Sequence, residues 1–396
     1  MRSHRLTSAV LMLLTLLALS CTNNKEEIEK PELSYSIERV PDWTALFKRE
    51  HGWFGGDGIF AIPHSGSDKD LSQGATFIFS DTMFGDIEDG ELQEGFSMVH
   101  NSVMEYDGGN TVSQESANFL VKMDGEKPTS LFAPQHQGEE GHDYYWFGDG
   151  FVNAATDSTM YIFGHRIRDI KDEALFPFVE LGTDLISIPR GSKFPYESAK
   201  QAVIPYSEDT GSGSTSYGVG VFENTSASGV SAPDGFIYVY GLRGITKELV
   251  SARVPATSVE DFSSWKFYDG AGWSNDPTAA VALADSVSNE MSVSEIGNGK
   301  YALIYQLGGI LPNIMMQVGD SPVGPFGERK QLWDTRNEVS EEGLFTYNAK
   351  AHPAISKEGE LLISYNVNSS DFFNQVLELP QLYRPRFIRV TFNFND

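Results

Sequence analysis

Residues 52–85 read GWFGGDGIFAIPHSGSDKDLSQGATFIFSDTMFG: two apolar runs joined by a polar, glycine-containing connection. The runs 59–62 and 76–79 are rich in β-branched and aromatic residues, so they predict two strands. Asp57 stands in a glycine-rich turn just before the first run, and Asp81 closes the second. Antiparallel pairing of the runs brings both acids to one end of a hairpin.

The second run recurs down the chain. FIFSDT (77–82), YIFGHR (161–166), YVYGLR (238–243), LIYQLG (303–308) and ISYNVN (363–368) each place an aromatic third, at Phe79, Phe163, Tyr240, Tyr305 and Tyr365. Subtraction gives spacings of 84, 77, 65 and 60 residues, a loose period in constant order. Each frame has an apolar strand before it and another after it, such as NSVMEY, DLISI, ELVSARV, NIMMQV or RFIRVTF. Helical periodicity is nearly absent. The pattern predicts an all-β chain, a five-bladed β-propeller occupying 34–396 as one domain, in preference to a double-sheet sandwich. The last strand, 387–394, is expected to pair with 35–40 and so remove an exposed edge.

Charge narrows the partners. With 29 basic and 55 acidic residues the net charge is −26, which disfavours nucleic acid and anionic membrane surfaces and points to an uncharged ligand. Residues 1–20 carry Arg2, Arg5 and a leucine-rich run too short to span a bilayer, which predicts a signal peptide. Cys21 is the only cysteine, so no intrachain disulfide can form. LALSC resembles a bacterial lipoprotein signal, implying lipidation at Cys21 and a membrane link only through that anchor. Residues 21–33 read as a flexible tether. Its KEE resembles the acidic export signal of lipoproteins that Bacteroidota place on the outer face of the cell, implying a surface-exposed outer-membrane location with other polysaccharide-utilisation proteins as candidate partners.

In a propeller, residues before each first strand and after each second strand share one rim. That rule collects Asp57, Asp149, Tyr217, Glu290 and His352 from the first strands, and Asp81, His165, Arg166, Arg243, Gln306, Asn366 and Asn368 from the second. Two carboxyl groups across a cleft are the minimum for glycoside hydrolysis, since one donates a proton while the other stays charged. Asp57 and Asp81 meet that need, with Asp149 and Glu290 as further acids. Aspartate beside glycine is also ordinary turn chemistry; convergence on one rim is what favours a site. Trp53, Trp146 and Trp273 offer faces for sugar rings or ordinary core packing. Arg166 and Arg243 read equally as hydroxyl ligands or as structural ion pairs, and His352 as a rim ligand or a core histidine. No nucleophile elbow, HExxH, phosphate loop or dinucleotide turn is present. No cofactor is implied, and a central oxygen-rich Ca²⁺ site is unmarked.

GGDGIF, IFSDTMFG, VHNSVM, WFGDGFV, EMSVSEI, SPVGPFG, AHPAIS and LISYNVN together resemble the bacterial five-bladed propellers long catalogued as domains of unknown function, some of them endo-D-arabinanases. More distantly the chain is similar to the arabinanase and β-xylosidase propellers. The resemblance spans about 43–391. It implies a glycoside hydrolase acting on a neutral polysaccharide or oligosaccharide such as arabinan, with Asp57 as base or nucleophile and Asp81 as its partner acid. Asn101 and Asp149 match further pocket positions. The third repeat offers Tyr217 and Glu223 but no acid where those propellers keep a proton donor, so Asp81, Asp149 and Glu290 compete for that role. The rival expectation is a non-catalytic glycan-binding lipoprotein.

Overall fold

The computed structural model describes residues 33–109, 111–136, 142–170, 177–207, 213–339 and 341–394. The expected signal peptide, Cys21 and nearly all of the tether lie outside the described residues. Within them the chain is all-β, with only short helical turns. The opening hairpin forms as expected: Phe60–Pro63 pairs antiparallel with Ala75–Phe79, Phe60 facing Ile78 and Pro63 facing Ala75.

Five antiparallel sheets follow the five repeats. Sheet I orders Phe60–Pro63, Ala75–Phe79, Ser102–Tyr106 and Ala117–Leu120. Sheet II contains Tyr144–Val152, Met160–Asp169, Phe178–Ile188 and Lys200–Val203. Sheet III contains Thr215–Asn224, Phe236–Arg243, Glu248–Pro255, Lys266–Tyr268 and Trp273–Ser274. Sheet IV contains Met291–Gly297, Lys300–Gln306, Asn313–Gly319 and Lys330–Asp334. Sheet V joins Leu344–Ala351, Glu360–Ser369 and Arg386–Asn393 to the N-terminal strand Ser34–Arg39. That last pairing, from Ser34 opposite Asn393 to Arg39 opposite Ile388, is the one expected from the sequence. It covers the edge of the final strand with the other end of the chain.

All five aromatic frames lie on second strands. Phe79, Phe163, Tyr240 and Tyr305 are fully buried and Tyr365 nearly so. Removing each such ring from water contributes about 1.5–3 kcal/mol, which is why one aromatic per repeat marks the core so plainly. First strands pack on one another in succession: Phe60–Pro63 on Tyr144–Val152, that strand on Thr215–Asn224, then Met291–Gly297, then Leu344–Ala351. The turn Pro353–Ile355 after the last of them packs back on Phe60–Pro63. Close approach is enabled by Gly148, where a Cβ would stand 2.3 Å from the Gly218 carbonyl oxygen.

Three residues expected before first strands lie elsewhere: Asp149 and Tyr217 stand inside Tyr144–Val152 and Thr215–Asn224, and His352 lies beyond its strand. His352 does not precede the first strand of sheet V; it follows Leu344–Ala351 and caps the 3₁₀ turn Pro353–Ile355. Pro353 cannot donate to a ladder, so the apolar AHPAIS segment turns instead of pairing.

Candidate functional site

The acids of the opening hairpin meet at a break in its two long strands. His51–Gly56 pairs with Thr82–Glu88, Phe60–Pro63 pairs with Ala75–Phe79, and Asp57, Gly58 and Ile59 bridge the gap. The Asp57 N–H donates to the Asp81 carbonyl at 3.1 Å, and the Ser80 N–H donates to the Asp57 carbonyl at 2.8 Å. Two backbone bonds therefore hold the acids opposite one another. Gly58 makes the turn possible: its φ is +63°, and a Cβ there would stand 2.4 Å from Ser80 Oγ. Ser80 Oγ in turn accepts from the Phe147 N–H at 2.9 Å, tying the break to sheet II.

The two carboxyl groups sit in different surroundings. Asp57 Oδ2 accepts from the Tyr347 hydroxyl at 2.6 Å, while Oδ1 is enclosed with no hydrogen-bond partner. Burial pushes the Asp57 carboxyl up to about 8, reinforced by the charges of Asp81 and Glu290 and opposed by the hydroxyls of Tyr347 and Tyr383. Asp81 Oδ1 pairs with His100 Nδ1 at 2.9 Å and accepts from Trp146 Nε1 at 3.0 Å. Both of these contacts fall on Oδ1. The His100 ring stacks on Tyr144 at 3.7 Å, and Trp146 stands edge-on to Phe178 at 4.5 Å, so an aromatic wall flanks Asp81.

Asp149 and Glu290 are engaged on both oxygens. Asp149 accepts from the backbone N–H groups of Gly150 at 2.7 Å and Val221 at 2.8 Å, and burial pushes it up to about 7. Glu290 accepts from Asn348 Nδ2 at 2.6 Å and from Lys350 Nζ. Burial raises it, against the opposing charge of Lys350. Backbone amides, carboxamide N–H groups and ammonium groups only donate, so these contacts favour the charged form of both acids and oppose the effect of burial.

A bulge recurs in three first strands and aims these groups. Register slips between Phe147 and Gly150, Tyr217 and Gly220, and Tyr347 and Lys350. Such a bulge turns side chains out of the plain alternation. In sheet V it carries Asn348 at φ +59° and sets Tyr347 toward Asp57 but Asn348 and Lys350 toward Glu290. Tyr347, Asn348, Lys350, His100, Tyr144 and Tyr383 were missed from the sequence. A signal existed for the first three: the first strands of sheets II, III and V each carry an aromatic followed by Gly or Asn, at Phe147, Tyr217 and Tyr347.

Several expected ligand contacts belong to the framework instead. Trp53 is 2% exposed and stacks on Phe119 at 4.5 Å. Tyr217 is 1% exposed and packs against Trp265 and Phe267. Asn101 is fully buried, donating to the carbonyls of Phe132 and Tyr145 and accepting from the Phe132 N–H, which stitches sheet I to sheet II. His352 is buried with its Nε2 on Ser364 Oγ at 2.7 Å, and burial holds it well below the ordinary histidine range. Arg243 pairs with Glu248 and donates to the Ala280 carbonyl, and Arg166 faces Asp184 at 3.4 Å. Asn366 is fully buried and donates to the Gly56 carbonyl at 3.0 Å, steadying the residue before Asp57. The common cause is strand alternation, which sends every second residue of a rim segment into the space between sheets. Cavities of about 450 and 500 Å³ open elsewhere, around Tyr161 and Ala256 and around His64 and Tyr196, and none of the four acids lines them. Among the described residues no group of three or more His, Cys, Asp or Glu could hold a metal ion.

Sequential antiparallel sheets, with two aspartates opposite one another at the break of the first hairpin, are the arrangement to set beside known proteins. The chain belongs to the family described as Domain of unknown function (DUF5005), which matches residues 41–394. No curated protein matches the sequence. Among solved structures, a candidate hydrolase from Bacteroides ovatus superposes with a TM-score of 0.68 at 21% identity, over 92% of this chain and 97% of that one, which shows a shared fold. A GH43_1 enzyme from Xanthomonas citri complexed with xylose gives 0.45 at 15% identity, over 88% of this chain and 92% of that one. An α-L-arabinofuranosidase from Clostridium thermocellum gives 0.42 at 12% identity, over 83% and 86%. Neither of these two likenesses bears on the chemistry of this chain.

Proposed function

We propose that this protein is a glycoside hydrolase on a five-bladed β-propeller, cleaving a neutral polysaccharide or oligosaccharide, with a furanoside such as arabinan as the first substrate to test. The propeller reading is supported by the five sequential sheets and by the succession of first-strand contacts that returns to its start. The hydrolase reading rests on one observation: Asp57 and Asp81 are paired across the hairpin, Asp57 held on Oδ2 by Tyr347 and Asp81 held on Oδ1 by His100 and Trp146. The Bacteroides ovatus protein that shares the fold is itself described as a candidate hydrolase.

The surroundings favour the reverse of the roles expected from the sequence. Burial keeps Asp57 protonated near neutral pH, which suits a general acid. Asp57 then gives its proton to the glycosidic oxygen as the bond to the anomeric carbon breaks. Asp81 takes a proton from the attacking water in an inverting route, or bonds to the anomeric carbon in a retaining one. Trp146 and His100 hold Asp81 in place, and the aromatic wall beside it offers faces to sugar rings.

Incubation with a panel of arabinans, xylans and galactans, with products resolved by chromatography, tests the reading. Cleavage by the wild type that disappears in Asp57→Asn supports it. Binding without products selects the glycan-binding alternative. Lipidation at Cys21, after a signal peptide of residues 1–20 and before a tether of 21–33, is likewise our proposal for placing the domain on the outer-membrane surface. Release of Cys21→Ala from the membrane fraction would support it, and unchanged retention would reject it.

A further inference from the structure

Three residues past Tyr347, sheet V carries a lysine that the chemistry above leaves unused. Lys350 is completely buried. It occupies the bulge position held in sheets II and III by Gly150 and Gly220. At those glycines a Cβ would stand 2.5 Å from Ile62 Cδ1 and Met291 Sδ respectively, and at Gly150 also 2.6 Å from the Tyr161 carbonyl oxygen, so a side chain there would displace its neighbours. Only in sheet V does this position, among the three, extend a charge. Lys350 Nζ donates to Glu290 Oε2 and to the Asn348 carbonyl at 3.3 Å, and stands 4.6 Å from the centre of the Phe60 ring. Glu290, 7% exposed, takes its other hydrogen bond from Asn348. An ion pair this deep gains little net stability over apolar packing, so stability alone does not account for it.

We propose that Lys350 is a positioning residue, whose ammonium fixes the Glu290 carboxylate as an immobile negative charge facing Asp57. Its consequence for turnover rests on the hydrolase reading; the arrangement itself does not. One bulge joins the two acids: Tyr347 reaches Asp57 while Asn348 and Lys350 reach Glu290, and the charges of Asp81 and Glu290 act on Asp57 alongside the hydroxyls of Tyr347 and Tyr383. Lys350, Asn348 and His165 face Glu290. Lys350 also faces His352 and Asp149. A fixed negative charge beside Asp57 favours its neutral form, and removing that charge releases the proton at lower pH.

The experiment is a carbon-13 titration of the aspartate carboxyls in the ligand-free full chain, with the Asp57 signal assigned by its loss in Asp57→Asn. The expected wild-type midpoint is about 8. Glu290→Gln lowers it by about one pH unit or more. Lys350→Met lowers it similarly, because a buried Glu290 without its cation takes up a proton, and Lys350→Arg keeps the wild-type midpoint. An unchanged midpoint in folded Glu290→Gln overturns the proposal. If Lys350→Met does not fold, the double variant Lys350→Met/Glu290→Gln takes its place, and a wild-type midpoint there also overturns it. Cleavage of the arabinan, xylan and galactan panel is measured on the same preparations: a wild type that titrates as expected but cleaves none of them counts against the hydrolase reading and leaves the role of Lys350 standing.

Discussion

The Tyr347 hydroxyl donates a 2.6 Å hydrogen bond to Asp57 Oδ2, joining sheet V to sheet I at a carboxyl that burial raises to about 8. The residues are 290 positions apart. This bond favours the charged form of Asp57, so it limits a shift that burial and two neighbouring acids drive upward. Tyr347→Phe should therefore move the Asp57 midpoint above 8 and shift the alkaline limb of the pH–rate profile in the same direction. A limb that moves downward would show that the hydroxyl accepts from Asp57 instead.

Asp57 also links stability to pH. Its folded value of about 8 lies above the value near 3.9 for an unfolded chain, so between these limits the folded state binds the extra proton. The contribution of this group is fully present below about pH 4 and is lost as pH rises through about 8. Asp57→Asn keeps a neutral acceptor for Tyr347 and removes the loss. We expect it to abolish turnover yet raise the melting temperature at pH 8.5 by a few degrees, at about 2 °C per kcal/mol, with little change at pH 4. Calorimetry at the two pH values checks this.

Trp146→Phe removes one donor from Asp81 while keeping an aromatic ring in the wall. Losing one such bond, worth about 1–1.5 kcal/mol, predicts a fall of about tenfold in kcat with a smaller change in KM. Equal effects on Trp146→Phe and on a distant surface control would reject the link.

Asn101→Ala should act on the fold and not on the chemistry. It strips partners from the buried carbonyls of Phe132 and Tyr145 and from the Phe132 N–H. The expected loss is about 2–4 kcal/mol in denaturant unfolding, with near-normal kcat well below the melting temperature. A large loss of kcat in a fully folded variant would return Asn101 to the site.

Gly58→Ala tests the break itself. The new Cβ would collide with Ser80 Oγ and Cβ, at 2.4 and 2.7 Å, in a backbone region that disfavours side chains. We expect a cost of about 1–3 kcal/mol and a drop in activity larger than that of the stability-matched Asn101→Ala.

Much of the architecture was legible because it repeats. Period-two strands with one aromatic per frame bury the same position five times, and all five frames became second strands. The paired aspartates were legible for the same reason, since register within one hairpin is local and its turn leaves few alternatives. The pairing of both chain ends also followed from strand pattern alone. The supporting cast was not legible. Trp53 and Tyr217 carry side chains suited to a ligand, yet the pleat of their strands turns them into the core, and His352 is buried where the chain leaves its strand for the turn Pro353–Ile355. Tyr347, Asn348 and Lys350 reach Asp57 and Glu290 through a bulge in a strand hundreds of residues from Asp57, and a slip of one position would have reversed their direction. Sequence determined that the chain is all-β, that it repeats, and that two acids close its first hairpin. Only the tertiary structure decided which oxygens of the four acids stay free, because that depends on donors brought from other sheets and on how much water each carboxyl loses.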